Sequence, residues 1–144
     1  MITIKPSNSL GKYQKVWKAF LLFNKDKNPY LNKISAYKGR NLNLYAYDGK
    51  EIVGGLMGYI KFNWLYIDVL HVDERMRGQD IGSSLIAEAE KFVKENKLTG
   101  MYVNTFDFQA KPFYEKCGFE ACGCIENMPP ESKMWILKKE IINV

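Results

Sequence analysis

Val69-Leu70-His71-Val72-Asp73-Glu74-Arg75-Met76-Arg77-Gly78-Gln79-Asp80-Ile81-Gly82-Ser83-Ser84-Leu85 is the stretch on which the fold turns. An apolar run ends at Val72, a basic, glycine-containing turn follows, and a helical pattern begins near Ile81. Backbone N–H groups at a helix N-terminus, set beside arginines, make a ready anion site. Such a site suits a phosphate-bearing ligand.

Downstream, Ile81, Leu85, Ala89 and Phe92, with Ile86 and Val93 beside them, recur at helical spacing. Glu88, Glu90, Lys91, Lys94 and Glu95 occupy the other face, and the helix fades at Asn96-Lys97. Residues 101–105 then read as a strand. It follows a helical crossover and so is expected to lie parallel to the strand over residues 64–72. Pro112 fits only a first helical turn, which predicts a helix from about Gln109 that stops at Gly118. Residues 119–125 and 134–138 are the expected last strands, joined by a loop holding Pro129-Pro130.

Upstream, residues 42–47 alternate and meet Asp48-Gly49, a two-residue hairpin signal. The next strand, residues 52–62, contains Gly54, Gly55 and Gly58, which predicts a bulge or a close backbone approach. A tight turn at Phe62-Asn63 leads into residues 64–72, giving an antiparallel meander. Strand alternation sets Tyr66, Asp68, Leu70 and Val72 on one face and His71 on the other. Residues 2–5 read as a first strand closed by Pro6. Ser9 caps a helix whose Leu10, Tyr13, Trp17, Phe20 and Leu21 form a core-facing stripe. Residues 24–41 are polar, broken by Pro29 and Gly39, with room for a short helix.

The 144 residues suit one domain, and 47% hydrophobic with 26% charged residues is an ordinary globular balance. No apolar run approaches the roughly 20 residues of a membrane helix, and the N-terminus has no signal-peptide pattern, so a cytoplasmic protein is expected. Cys117, Cys122 and Cys124 read as reduced thiols with no assigned role. With His71 the only histidine, no metal site is expected. The net charge of +5 is spread along the chain with no basic stripe, which argues against nucleic acid as the partner.

Two motifs give the chain a resemblance to the GNAT superfamily of acetyl-CoA-dependent N-acetyltransferases. The first, Arg77-Gly78-Gln79-Asp80-Ile81-Gly82, is similar to the family's Arg/Gln-x-x-Gly-x-Gly/Ala signature. The second, Ala110-Lys111-Pro112-Phe113-Tyr114-Glu115-Lys116-Cys117-Gly118-Phe119, resembles its Ala-x-x-(Leu/Phe)-Tyr-x-x-x-Gly-Phe segment. The resemblance implies an α/β (α+β) fold over residues 1–144. It has a mixed, mostly antiparallel sheet of six to seven strands with a splayed parallel pair, and about four flanking helices.

It also implies roles. Leu70 and Val72 would pair with the pantetheine arm of acetyl-CoA as an added strand would. Backbone N–H groups of Arg77, Gly78, Gln79, Asp80, Ile81, Gly82 and Ser83 would cradle the pyrophosphate, with Arg77 adding a charged contact. Asp107 stands where relatives often carry a pantetheine-contacting asparagine. Tyr114 would protonate the departing thiolate. Asp68 would serve as base, directly or through water, or act as a structural acceptor only. Asp80 replaces the signature's first glycine; Asp is among the few residues that tolerate positive φ, and its side chain is expected to turn outward or cap the helix. The implied activity is transfer of an acetyl group from acetyl-CoA to a primary amine of a small molecule or a protein. The alternative is a non-catalytic acyl-CoA-binding regulatory domain. The acceptor pocket is expected from residues 12–40 and 125–133, and homodimerisation stays open.

Overall fold

The computed structural model describes residues 1–32 and 41–141. The chain divides into two compact units, residues 1–35 and 36–144. In the first, helix α1 spans Leu10–Lys27, capped by the Ser9 side chain, which accepts from the Lys12 N–H at 3.3 Å. Tyr13 and Trp17 stack at 6.4 Å and Trp17 meets Phe20 at 5.5 Å, as their helical spacing dictates. No α1 residue is buried; Leu10, Tyr13, Trp17 and Phe20 are exposed and Leu21 is half-buried. The strand expected over residues 2–5 does not form. Ile2 and Ile4 are 92% and 95% exposed, and among the described residues no neighbouring strand pairs with this segment to hold it extended. Of residues 24–41, where room for a short helix is expected without readable bounds, 24–27 belong to α1, Pro29–Asn32 form one 3-10 turn, and 33–40 lie outside the described residues.

The second unit is a six-stranded mixed sheet. Its strands are β1 (Asn41–Asp48), β2 (Glu51–Lys61), β3 (Trp64–Val72), β4 (Gly100–Phe106), β5 (Glu120–Glu126) and β6 (Lys133–Glu140), in the order β1-β2-β3-β4-β6-β5. The β1–β2 loop is two residues long, with Asp48 paired to Glu51 and Gly49 at φ +62. Phe62 and Asn63, both at positive φ, close the β2–β3 turn. Helix α2 (Ile81–Glu95) follows β3 and delivers the chain to β4, which pairs parallel with β3. Helix α3 (Lys111–Lys116) starts two residues later than predicted, with Pro112 in its first turn, and Gly118 at φ +91 ends it.

One face of the sheet holds the core. Leu85, Ile86, Ala89 and Val93 of α2 and Tyr114 of α3 pack on Leu56, Leu65, Ile67, Met101, Val103 and Leu137. Each such fully buried aliphatic side chain contributes about 1.5–3 kcal/mol.

Two features of β3 position the site. The first is its parallel ladder with β4, which runs only from Trp64↔Gly100 to Ile67↔Val103. Beyond that point β3 stays with β2 and β4 stays with β6, so the two strands part. The second is a bulge at the same place. Met57 pairs with Val69 and Gly58 with Ile67, which leaves Asp68 as the extra residue on β3. Gly58 is required opposite it, because a Cβ there would lie 2.5 Å from the Tyr66 carbonyl oxygen. The extra residue shifts the alternation by one. Leu65, Ile67, Leu70 and Val72 all turn to the core, whereas Tyr66 does not. The expectation that Tyr66, Asp68, Leu70 and Val72 share a face is therefore corrected: a bulge breaks the period of two.

Candidate functional site

Where β3 and β4 part, a cavity of about 1040 Å³ opens. One wall is β3 from Asp68 to Val72, and the opposing wall is Val103, Asn104 and Thr105 of β4. Among the described residues no strand lies beside the edge of β3 facing this gap past Ile67, so its backbone offers hydrogen bonds to an extended ligand. Phe108, Gln109, Ala110 and the α3 residues Phe113, Tyr114, Lys116 and Cys117 close one side.

The turn before α2 forms the other end. Arg75 pairs with Glu51 and Asp73 and takes no part in the lining, whereas Arg77 lines the cavity and donates from Nε to the Val72 carbonyl at 3.5 Å. Gly78 has φ +83, and Asp80 sits in the left-handed region at φ 59, ψ 20. The Asp80 side chain does not cap the helix. Its carbonyl does the local work instead, accepting from the Ser83 and Ser84 hydroxyls at 3.0 and 2.8 Å and from the Ser84 N–H at 3.0 Å. Ahead of that bond, the six N–H groups of residues 78–83 have no acceptor among the described residues. Consecutive free N–H groups at a helix N-terminus, with an arginine alongside, are what a pyrophosphate needs. Gly82 packs against α3: a Cβ would come within 3.1–3.2 Å of the Phe113 ring.

Tyr114 is 5% exposed, its ring held edge-to-face by Phe113 and Phe119 at 5.3 and 5.5 Å. Burial, with a smaller effect of the Cys117 thiol beside it, pushes its pKa up to about 12. No described group bonds its hydroxyl, which is left for whatever enters the cavity. Burial also raises the Cys117 thiol, partly offset by the Lys139 ammonium.

The cavity thus gathers Asp68, Leu70, Val72, Arg77, Gly78, Asp80, Ile81, Gly82, Ser83 and Tyr114. Two predicted residues stand apart. The Gln79 side chain lies 4.0 Å from the Met76 sulfur and is not among the lining residues. Asp107 is outside the cavity because β4 ends at Phe106. There its carboxylate accepts the Lys133 N–H at 3.2 Å and its own N–H donates to the Lys133 carbonyl, tying β4 to β6. Sequence reading missed Asn104 and Gln109. Asn104 and Thr105 are adjacent polar residues in a strand that is otherwise mostly apolar, a signal that was available. Gln109 has its Oε1 fixed by the Phe106 N–H at 3.1 Å and the Thr105 hydroxyl at 3.3 Å, contacts that only the folded turn reveals. Among the described residues no group of three or more His, Cys, Asp or Glu is arranged to hold a metal, and no helix is long and apolar enough to cross a membrane.

Residues 13–119 match the model of the acetyltransferase (GNAT) family. Blasticidin-S acetyltransferase of Streptomyces morookaense is 36% identical over 116 residues, 77% of this chain and 85% of that protein. The crystal structure of an acetyltransferase from Bacillus cereus ATCC 14579 superposes with a TM-score of 0.82 at 24% identity, covering 96% of this chain and 98% of that one. A structure from Bacillus anthracis str. Ames, assigned as a streptothricin acetyltransferase and holding acetyl coenzyme A, gives a TM-score of 0.66 at 26% identity over 76% of this chain and 67% of its own.

Proposed function

Because the chain belongs to the acetyltransferase (GNAT) family, an acetyl-CoA-dependent acyltransferase, we propose that it acetylates a primary amine of a small molecule by direct transfer. One observation carries this reading: the N–H groups of residues 78–83 have no acceptor among the described residues, and all of these residues except Gln79 line the same cavity as the parted strands and Tyr114. The N–H run and Arg77 hold the donor's pyrophosphate, and the free edge of β3 at Leu70 and Val72 aligns its pantetheine arm. Fixing donor and amine at the strand gap supplies the orientation that replaces a chance encounter.

The amine nitrogen attacks the thioester carbonyl carbon, forming the C–N bond and a tetrahedral intermediate. Asp68, at the bulge, takes the proton the nitrogen sheds, directly or through water. The C–S bond then breaks, and Tyr114 donates to the departing sulfur. A phenol at about 12 gives its proton to a free thiolate, whose conjugate acid is near 8.5, only at a cost of about 5 kcal/mol. Tyr114 therefore acts chiefly by holding its hydrogen bond to the sulfur as charge develops, and thiol formation is completed by the proton released from nitrogen.

The names of two relatives, acetyltransferases of blasticidin S and of streptothricin, support a small-molecule acceptor. The test is CoA-thiol release from acetyl-CoA with blasticidin S, streptothricin, polyamines and lysine peptides as acceptors. Turnover with a small amine is expected. Tight acetyl-CoA binding with no turnover on any small amine, or turnover on peptides alone, would refute the reading.

A further inference from the structure

The sheet face turned away from the core carries a packed row of aromatic side chains. Tyr59 of β2, Tyr66 of β3 and Tyr102 of β4 lie side by side, with ring centroids 5.4 Å and 4.9 Å apart, and Trp64 is 6.4 Å from Tyr102. None of the four is buried, and Tyr59 is 37% exposed. The row is continuous with the cavity. Asn104, a lining residue, donates from Nδ2 to the Tyr66 hydroxyl at 3.5 Å. Asp68 lines the cavity two residues beyond Tyr66, and after burial its negative charge is the largest influence raising the Tyr66 pKa.

Charge is divided across this opening. Arg77 lines the cavity at the turn that carries the N–H groups of residues 78–83, and Lys116 lines it from α3. At the strand gap the lining holds Asp68, and the tyrosine row, itself outside the lining, adjoins it through the Asn104–Tyr66 bond. Lys138, the cross-strand neighbour of Tyr102, is paired with Glu140 at 3.2 Å and Glu120 at 4.0 Å, which offsets its charge there. An anionic donor and a cationic acceptor are thus drawn to opposite ends of one passage.

Resting on the acetyltransferase reading, we propose that Tyr66, Tyr102 and Tyr59 form the acceptor platform and select amines that carry a flat conjugated group. The amine end lies by Asp68 in the gap between β3 and β4. The flat group lies along the tyrosine row, where ring faces and edges offer contacts that a puckered ring of equal size cannot match. The tyrosines bind and select and move no proton.

The test is calorimetric titration of tryptamine and of 2-cyclohexylethylamine into the CoA-saturated protein, in which no acetyl group is present to transfer. Tryptamine is expected to bind at least about tenfold more tightly. Tyr102→Leu is expected to abolish that preference while leaving acetyl-CoA affinity and the thermal midpoint in place. Tyr59→Leu, at the more exposed position, serves the same purpose if Tyr102→Leu does not fold. Equal binding of the two amines, no binding of tryptamine, or a preference that survives both substitutions overturns the proposal. Failure of the wild-type protein to bind acetyl-CoA in a separate titration strikes instead at the donor reading, and with it this one.

Discussion

Tyr114 sits between Phe113 and Phe119, and burial lifts its hydroxyl to about 12. It is therefore protonated at every pH at which an enzyme is normally assayed. Tyr114→Phe should lower kcat by about 100-fold with the KM for acetyl-CoA unmoved, as steady-state kinetics will report; a raised KM with kcat unchanged would mean the hydroxyl binds the donor rather than serving the departing sulfur. The same residue makes a stability prediction. Its folded value lies above the unfolded value of 10, so folding favours the neutral form. That stabilisation is complete below pH 10 and is lost as pH rises from 10 toward 12. Thermal melts across this window should show a shallower alkaline decline for Tyr114→Phe than for the wild type. Asp80 yields a prediction of opposite sense. A left-handed φ of 59 suits glycine better, and a carboxylate beside an anion site opposes binding. Asp80→Gly should tighten acetyl-CoA binding several-fold by titration, whereas Asp80→Ala keeps the backbone cost and should gain less.

The turn, α2 and α3 act together, and Gly82 is the point where they touch. A side chain there must displace the Phe113 ring, so Gly82→Val should cost about 1–3 kcal/mol of stability. It should also weaken acetyl-CoA binding, with Phe113→Ala restoring part of both in a double-mutant cycle. An additive cycle would show that the close approach does not matter. The elements that could be read from the sequence are those whose cause is local. Alternation with a glycine turn predicts the β1–β2 hairpin, helical spacing predicts α2, and Pro112 with Gly118 brackets α3. The bulge at Asp68 has no local signature, because register is decided by the partner strand; Gly58 was its one trace, visible as a glycine but not as a residue facing a bulge. Residues 2–5 fail in the opposite way. Their pattern fits a strand, but a strand also needs a neighbour.

In the sheet as a whole, the site exists because β3 and β4 are parallel neighbours whose other partners pull them apart. The turn that carries the N–H run of residues 78–83 was legible because a helix N-terminus and its glycines lie within one short stretch. The Asp68–Tyr66–Asn104 end was not, since it is assembled across two strands 38 residues apart in the chain at Tyr66 and Asn104. Asp107 marks the limit of reasoning by motif position: one residue past the end of β4, the chain has already turned toward β6. The central claim is that the N–H run of residues 78–83 holds the donor's pyrophosphate at the mouth of the strand gap. Paired titrations of acetyl-CoA and of S-acetylpantetheine, which keeps the thioester and arm but lacks the pyrophosphate, test it most directly. Acetyl-CoA should bind at least about 100-fold more tightly, as several charge-assisted bonds at a helix N-terminus require. Equal affinity for the two would contradict the account.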